Sequence, residues 1–422
     1  MKKYDVIIIG AGASGLMAAT ALANTKLKVL LIEKNANPGI KMLITGGGRC
    51  NCTNTSHLSV KDFSLSFNNE SNHASKFLLS AFTAFGPHDL IEYLKEIGIE
   101  TAGETGGKVF LESQKARTLV DRLMNIIEKS ANVDFLFNVS VVNLVKENEL
   151  ISHVILSNGE SVEANIVVVS VGGKSYPKTG SSGDFYHILN NLGHKVVKAR
   201  PALVPIYFKN DIGLDLKGLS FKNVSLSLIV DNKEVCRELG DVVFGENVIS
   251  GPAALNISRY MANRDVSRSK LKVDFFPELS EEELSPKLQE LFHSGKSAIN
   301  NVLSKIISKK LANELLRLLA IDSELLANSI TKEKRGELLA SLKHFSLSII
   351  SIGNFDQAMV TKGGVSINEI DNRNFKSNLY NNLYLTGEVL DIDGPTGGYN
   401  LQFAFTSAYL AALDIKNCGD EK

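Results

Sequence analysis

YDVIIIGAGASGLMAATALANTKLKVLLIE, residues 4–33, decides how this chain is read. A β-branched run leads into Gly10, and Gly10, Gly12 and Gly15 stand as G-x-G-x-x-G. Good helix formers, LMAATALA, come next, and a second apolar run closes at Glu33. Strand, tight turn, helix, strand is the βαβ unit that binds a dinucleotide. Gly10 permits the turn, Gly12 lets backbone N–H groups approach a pyrophosphate, and Gly15 seats the helix close to the strand. Ala13 and Ser14 open the helix, whose N-terminus adds partial positive charge. Glu33 stands where a carboxylate accepts hydrogen bonds from ribose hydroxyls.

At 422 residues the chain exceeds one ordinary core, so two or three domains are expected. Hydrophobic residues make up 44% and charged residues 22%, as in an ordinary enzyme, and 46 basic residues balance 46 acidic ones. That balance exerts no whole-molecule pull towards nucleic acid or an anionic membrane. Residues 1–23 imitate a secretory signal, but the glycines interrupt the apolar run and have a better use. No apolar run reaches the ~18 residues of a membrane helix, and the expected location is the cytoplasm. Four scattered cysteines imply no disulfide framework. Cys50-x-Cys52 lacks a second ligand pair for zinc, so no metal is expected.

Beyond the first unit, helical periodicity covers residues 76–85, 88–97 and 115–130, with an irregular polar stretch before it. Residues 134–171 switch to period two and end in the buried run VVVSV. Residues 198–275 and 344–362 read as a β-rich substrate domain with a hairpin turn at Asp231 and Asn232, and 276–343 as a helical insertion or cap. The cofactor domain is then 1–197, completed by 363–422. The expected fold is α/β: a Rossmann-like domain from both chain ends, a β-barrel-like middle and a small helical insertion.

Two further glycine-rich strand-to-helix junctions, GGKSYPKTGSSGD after Val171 and TGEVLDIDGPTGGYN from Thr386, return from distant sequence. A nicotinamide dehydrogenase has no need of them; the longer FAD does, to hold ribitol and ring. A helix opening at Gly397 and Gly398 can aim N–H groups at the flavin N1 and C2 carbonyl, where charge gathers on reduction. GGGRCNCTN, residues 46–54, then provides bare backbone beside the cofactor. There Arg49 is a bidentate donor for pyrophosphate or an anionic substrate. Cys50 lies beside the isoalloxazine or packs as a small buried residue.

These motifs, with KMLITGGGRCNCTN, PALVP, ISGPAALNIS and VTKGGVSINEID, resemble the bacterial flavoproteins of the BaiN, YhiN and aminoacetone oxidase type over nearly the whole chain. Two segments depart from the pattern: Glu246 stands where many members carry His, and RNFKSNLY keeps only Ser377 of the usual segment. The resemblance implies that Lys34, Lys41, Gly48, Arg49, Cys50, Gly172 and Gly173 join the first loop around FAD. From the terminal motif it adds Gly387, Glu388, Asp393, Gly397, Gly398, Tyr399, Asn400 and Leu401. It implies an FAD-dependent oxidoreductase that takes electrons from NAD(P)H and reduces an activated C=C bond, with uridine of large-subunit ribosomal RNA the leading substrate. Cys50, Tyr399 and Glu246 are the candidate proton donors. The alternatives are a small-amine oxidase using oxygen, and a flavin-binding redox sensor switched by Cys50 and Cys52. Basic residues of the insertion, Lys296, Lys305, Lys309, Lys310, Arg317, Lys332, Lys334 and Arg335, form either an RNA-facing patch or a solvated helix face.

Overall fold

The computed structural model describes residues 2–67, 73–209, 215–293 and 297–420. It divides into two compact units, Met1–Ala202 with Phe355–Lys422, and Leu203–Asn354. The first begins with β1 (Lys2–Ile9), α1 (Ala13–Leu22), β2 (Val29–Glu33), β3 (Asn51–Asn54), α2 (Val60–Leu65), α3 (His73–Ala84) and α4 (Pro87–Glu96). It continues through β4 (Thr101–Gly103), β5 (Lys108–Leu111), α5 (Ala116–Glu128), β6 (Val133–Phe137), β7 (Val141–Glu147), β8 (Leu150–Leu156), β9 (Ser161–Val169), α6 (Phe185–Asn191) and β10 (Val196–Ala202).

The second unit runs β11 (Ile206–Lys209), β12 (Ser220–Val230), β13 (Lys233–Phe244), β14 (Val248–Ser250), α7 (Pro252–Met261) and β15 (Ser269–Asp274). After α8 (Glu281–His293), α9 (Ile299–Leu303), α10 (Lys309–Leu318) and α11 (Lys332–Lys343) it ends with β16 (Phe345–Ile352). The chain returns to the first unit with β17 (Val360–Val365), β18 (Leu383–Leu385) and α12 (Tyr399–Asp420).

In the first unit β6, β2, β1 and β9 lie parallel, and β9 also pairs with β18 in parallel and β8 in antiparallel fashion. The register aligns Ile9 with Ile32 and Val169, Val169 with Leu385, and Glu33 with Phe137. Five strands therefore finish level, and their carboxyl ends form one edge. The runs VIII, VLLI and VVV are buried on both faces, as parallel strands covered by helices must be. Helix α1 is apolar all round because α12 packs on it as well as the sheet.

The second unit closes β11, β14, β13, β12, β15 and β16 into an antiparallel barrel. Asp231 and Asn232 turn its long hairpin with φ of 50° and 62°, the left-handed pair of a two-residue loop. Leu284, Phe292, Leu311 and Leu338 of the helical segment share one apolar core with Leu226, Leu228 and Leu271 of the barrel. The segment expected as a helical insertion or cap thus covers the barrel.

The expected boundaries at 198 and 362 shift, because β10 and β17 pair with each other inside the first unit. The stretch read as irregular also gains structure: β3 pairs with β5, and Ser59 caps α2 by accepting from Asp62 N–H.

His194, buried beside this sheet, links Glu369 (Nδ1 to Oε2, 2.9 Å) and Ser377 (Nε2 to Oγ, 3.1 Å). Burial lowers its pKa, against the pull of Glu369. Its folded pKa lies below the unfolded 6.5, so its contribution is complete above about pH 6.5. Below that the unfolded chain takes the proton first, and stability is lost until the folded imidazole also titrates. Urea midpoints should therefore fall between about pH 7 and pH 5.5, and fall less in His194→Asn; equal pH slopes would contradict this.

Candidate functional site: a cofactor cavity at the carboxyl edge

A cavity of about 260 Å³ opens along the shared carboxyl edge of the sheet. Segments leaving β1, β2, β6, β9 and β18 all contribute to its wall, the crevice that open α/β sheets offer to ligands.

At the first crossing Gly15 is forced by contact: a Cβ there would lie 1.7 Å from the carbonyl oxygen of Gly10. Gly12 is different. A Cβ on it would meet nothing within 4 Å, and the residue lines the cavity. Glu33, buried at the end of β2, accepts Ala11 N–H at 2.8 Å through Oε2 and Asn35 N–H at 2.9 Å through Oε1. The carboxylate is thereby fixed in the wall beside the turn.

The opposite wall comes from the loop after β9 and from the return segment. Glu388 accepts Ser175 Oγ–H at 2.7 Å and Thr361 N–H at 2.6 Å, and its second oxygen takes the Lys41 ammonium, which also contacts Ser175. Thr361 Oγ1 in turn accepts Lys174 N–H at 2.7 Å, which anchors the loop. Further along it, Lys34 reaches Ser182 (2.8 Å) and Asp184 (3.5 Å), and the Ser182 hydroxyl, ahead of the lysine charge, holds the Asp184 carboxyl below its usual range. Ser181 lies between, buried, its hydroxyl without a partner among the described residues and its side chain in the wall.

These features fit a flavin dinucleotide. The turn and the α1 N-terminus offer N–H groups to phosphates, open space lies in front of Gly12, Glu33 offers oxygens to hydroxyls, and Ser181 carries an unused donor.

Of the residues singled out in sequence, Gly10, Gly12, Ala13, Ser14, Glu33 and Lys34 line the cavity from the first crossing. Lys41, Gly172, Gly173, Glu388, Asn400 and Leu401 line it from the remaining segments. Gly15 and Gly387 lie behind the wall as packing points; a Cβ on Gly387 would sit 2.2 Å from Ser14 Oγ. Asp393 is buried outside the wall, and its charge, after burial itself, raises the pKa of Asp391.

The GGGRCNCTN stretch answers differently from the expectation. Gly46, Gly47 and Gly48 all take positive φ and turn the chain into β3. Arg49 points away from the cavity: it donates to Glu104 (2.8 Å) and Gln114 (3.2 Å) and lies over the Phe110 ring at 4.0 Å. So placed, the guanidinium ties the turn ahead of β3 to β5 and the segments flanking it. Arg49→Ala is expected to change FAD affinity by less than about threefold, read by flavin fluorescence on titration; a loss above tenfold would return Arg49 to the cofactor.

Cys50 is fully buried and its thiol faces Cys52, with the sulfurs 3.7 Å apart. The Cys50 contact and burial keep the Cys52 thiol well above the usual thiol range, so Cys52 is a neutral, packed thiol. Gly398 explains the pairing of the two motifs, because a Cβ there would lie 2.2 Å from Thr53 O. Asn54 Nδ2 donates to Gly397 O at 3.0 Å, so GPTGGYN is laid directly on NCTN.

Tyr399 opens α12 just outside the wall, and Glu246 lies in the other unit, exposed, 3.3 Å from Lys217. Sequence reasoning missed Ser181 and residues 139–141. The only signal for the latter was that they follow β6, which ends level with β1 and β2.

Five parallel strands with this cavity at their carboxyl ends define a Rossmann-type dinucleotide-binding protein. The chain belongs to the HI0933-like family of FAD-dependent oxidoreductases: the family model "HI0933-like protein Rossmann domain" matches residues 4–414. It is 30% identical over 415 residues to the Ribosomal RNA dihydrouridine synthase of Escherichia coli K12, covering 98% of each chain. It is 29% identical over 410 residues to the 3-dehydro-bile acid delta(4,6)-reductase of Clostridium scindens, covering 96% of this chain and 97% of that one. In fold it resembles the 3-ketosteroid-delta4-(5alpha)-dehydrogenase of Rhodococcus jostii RHA1, with a TM-score of 0.54 and 12% identity over 98% of this chain and 97% of that one. No helix among the described residues is long and apolar enough to cross a membrane.

Proposed function

We propose that this protein is a cytoplasmic reductase of activated C=C bonds, driven by NAD(P)H through FAD, with uridine of large-subunit ribosomal RNA as substrate. The observation that carries it is the end-to-end match to two enzymes whose names both describe saturation of a conjugated ring double bond, on a chain with a cavity suited to FAD. When bound, FAD supplies two-electron hydride chemistry. The protein supplies the rest. The Gly10–Gly12 turn and the α1 N-terminus take the pyrophosphate, Glu33 the adenosine ribose, and the Lys41–Glu388–Ser175 cluster and Ser181 fix the remaining length. Tyr399 supplies the proton that accompanies hydride.

For the RNA side, Lys310, Arg317 and Lys334 are engaged with Asp215, Glu314 and Glu337, and Lys296 lies outside the described residues. Lys305, Lys309, Lys332 and Arg335 then provide the phosphate contacts in this reading.

Anaerobic stopped-flow mixing tests the proposal. NADPH or NADH should bleach the flavin, and ribosomal RNA lacking dihydrouridine should restore its colour while one uridine gains two hydrogens in mass. Bleaching by aminoacetone alone, with recovery only in oxygen, would replace the reductase with an oxidase.

A further inference from the structure

We infer that His57 is the residue through which Tyr399 recovers its proton, so that Ser66, His57 and Tyr399 form a relay between water and the phenol. This rests on the reductase reading above. Hydride delivered to one carbon of a C=C bond leaves its neighbour in need of a proton, and the donor must be recharged at every turnover. Of the three acids singled out in sequence, the Cys50 thiol is buried against Cys52 and Glu246 is exposed beside Lys217 in the other unit.

Tyr399 stands in a different environment. It opens α12 immediately before Asn400 and Leu401, which line the cavity. Its ring stacks on Phe63, centroids 5.0 Å apart and planes within 19°, and meets the edge of Phe67 at 6.0 Å. The phenol finds a polar partner in His57, whose Nε2 lies 2.8 Å from the hydroxyl oxygen. Ser66 Oγ lies 3.1 Å from the same nitrogen. The His57 ring also meets Phe63 edge-on at 5.9 Å, which fixes its plane. His57 is half-buried.

Among the described residues, the titratable groups facing it are these. Tyr399 faces it from α12, α2 carries Lys61 and Asp62, and Asp62 is taken by the Ser59 hydroxyl at 2.6 Å. Lys108 of β5 approaches at Gly397.

The proton step then balances. The Tyr399 O–H bond breaks as the substrate C–H bond forms, and the tyrosinate takes the Nε2 proton of His57. The ring keeps its remaining proton on Nδ1, and Nε2 is recharged by the Ser66 hydroxyl, which takes a proton from water in turn. The hydride, which carries both electrons, comes from NAD(P)H by way of the cofactor. His57 is thus a positioning and relay residue, and Tyr399 the donor.

The test uses the FAD-loaded full chain, with the two half-reactions timed separately. Bleaching by NAD(P)H should stay within about twofold of wild type in His57→Gln, because the relay does not serve that step. Reoxidation by ribosomal RNA lacking dihydrouridine should slow roughly 100-fold in Tyr399→Phe and about tenfold in His57→Gln. Added imidazole should restore the rate in His57→Gln and leave Tyr399→Phe unchanged. A wild-type rate in His57→Gln, or a loss that imidazole does not relieve, overturns the relay.

If ribosomal RNA fails to reoxidise the wild-type flavin, the reductase reading is what falls, and the coupling is read in the cofactor-free chain. There the His57 ring-proton resonance, identified by its loss in His57→Gln, should move in Tyr399→Phe; an unmoved resonance overturns the coupling itself.

Discussion

Gly15→Ala should yield a colourless protein with a damaged first crossing. The added methyl would sit 1.7 Å from Gly10 O and 2.9 Å from Gly10 C, distances no side-chain rotation can relieve because both partners are backbone. Gly10 has no room to retreat, since its own Cβ position lies 2.6 Å from Ser170 O at the end of β9. Relief requires α1 to lift from the sheet, and α1 is held on its other side by α12. Overpacking of this kind costs about 1–3 kcal/mol when side chains can adjust and more when they cannot. The prediction is a loss of at least 3 kcal/mol, read as a melting temperature lower by roughly 5–10 °C, together with loss of bound FAD. Gly12→Ala is the control: its methyl meets open space and its backbone is extended, so the fold should persist. That methyl would stand in the cavity, and FAD affinity should fall on the order of 100-fold, about 2.7 kcal/mol. Equal thermal losses in the two variants would refute the distinction between packing and binding glycines.

Much of this was legible in the chain because local chemistry dictates it. The first βαβ unit is written in consecutive residues, with glycines at the turn, apolar runs on either side and Glu33 at the next strand end. The hairpin at Asp231 and Asn232 was equally local, since both residues tolerate the left-handed conformation the turn requires.

What escaped was long-range. Arg49 looked like a phosphate ligand by its glycine-rich neighbourhood, but its partners Glu104 and Gln114 follow β4 and β5 of a three-stranded sheet whose pairing no local pattern announces. The helical segment 276–343 carries amphipathic helices whether it stands alone or covers a barrel; only the shared core with Leu226 and Leu271 separates those cases. Lys41 and Glu388 are 347 positions apart, and nothing short of the closed sheet brings them together.

That pair carries the other large effect. Lys41 and Glu388 are each about three-quarters buried, at 25% and 21% side-chain exposure, and Glu388 also satisfies the buried Thr361 N–H and Ser175 hydroxyl. Glu388→Ala would strand both donors, each costing about 1–3 kcal/mol, and leave Lys41 without its counter-charge beside the cavity. Residual water moderates the last term, so the expected total is on the order of 3–5 kcal/mol. The anchor between the loop after β9 and the return segment would go with it, and FAD retention should collapse more than 100-fold. A double-mutant cycle separates pairing from generic damage. Lys41→Met removes the cation with little change in volume, and Glu388→Gln keeps an acceptor for Thr361 while presenting an amide donor to the ammonium. Each should destabilise alone, whereas the double variant removes that donor-to-donor clash and the unpaired charge together. The coupling in denaturation free energy should then exceed about 1 kcal/mol. Additive losses would mean that the ion pair is incidental and that Glu388 acts through its neutral hydrogen bonds alone.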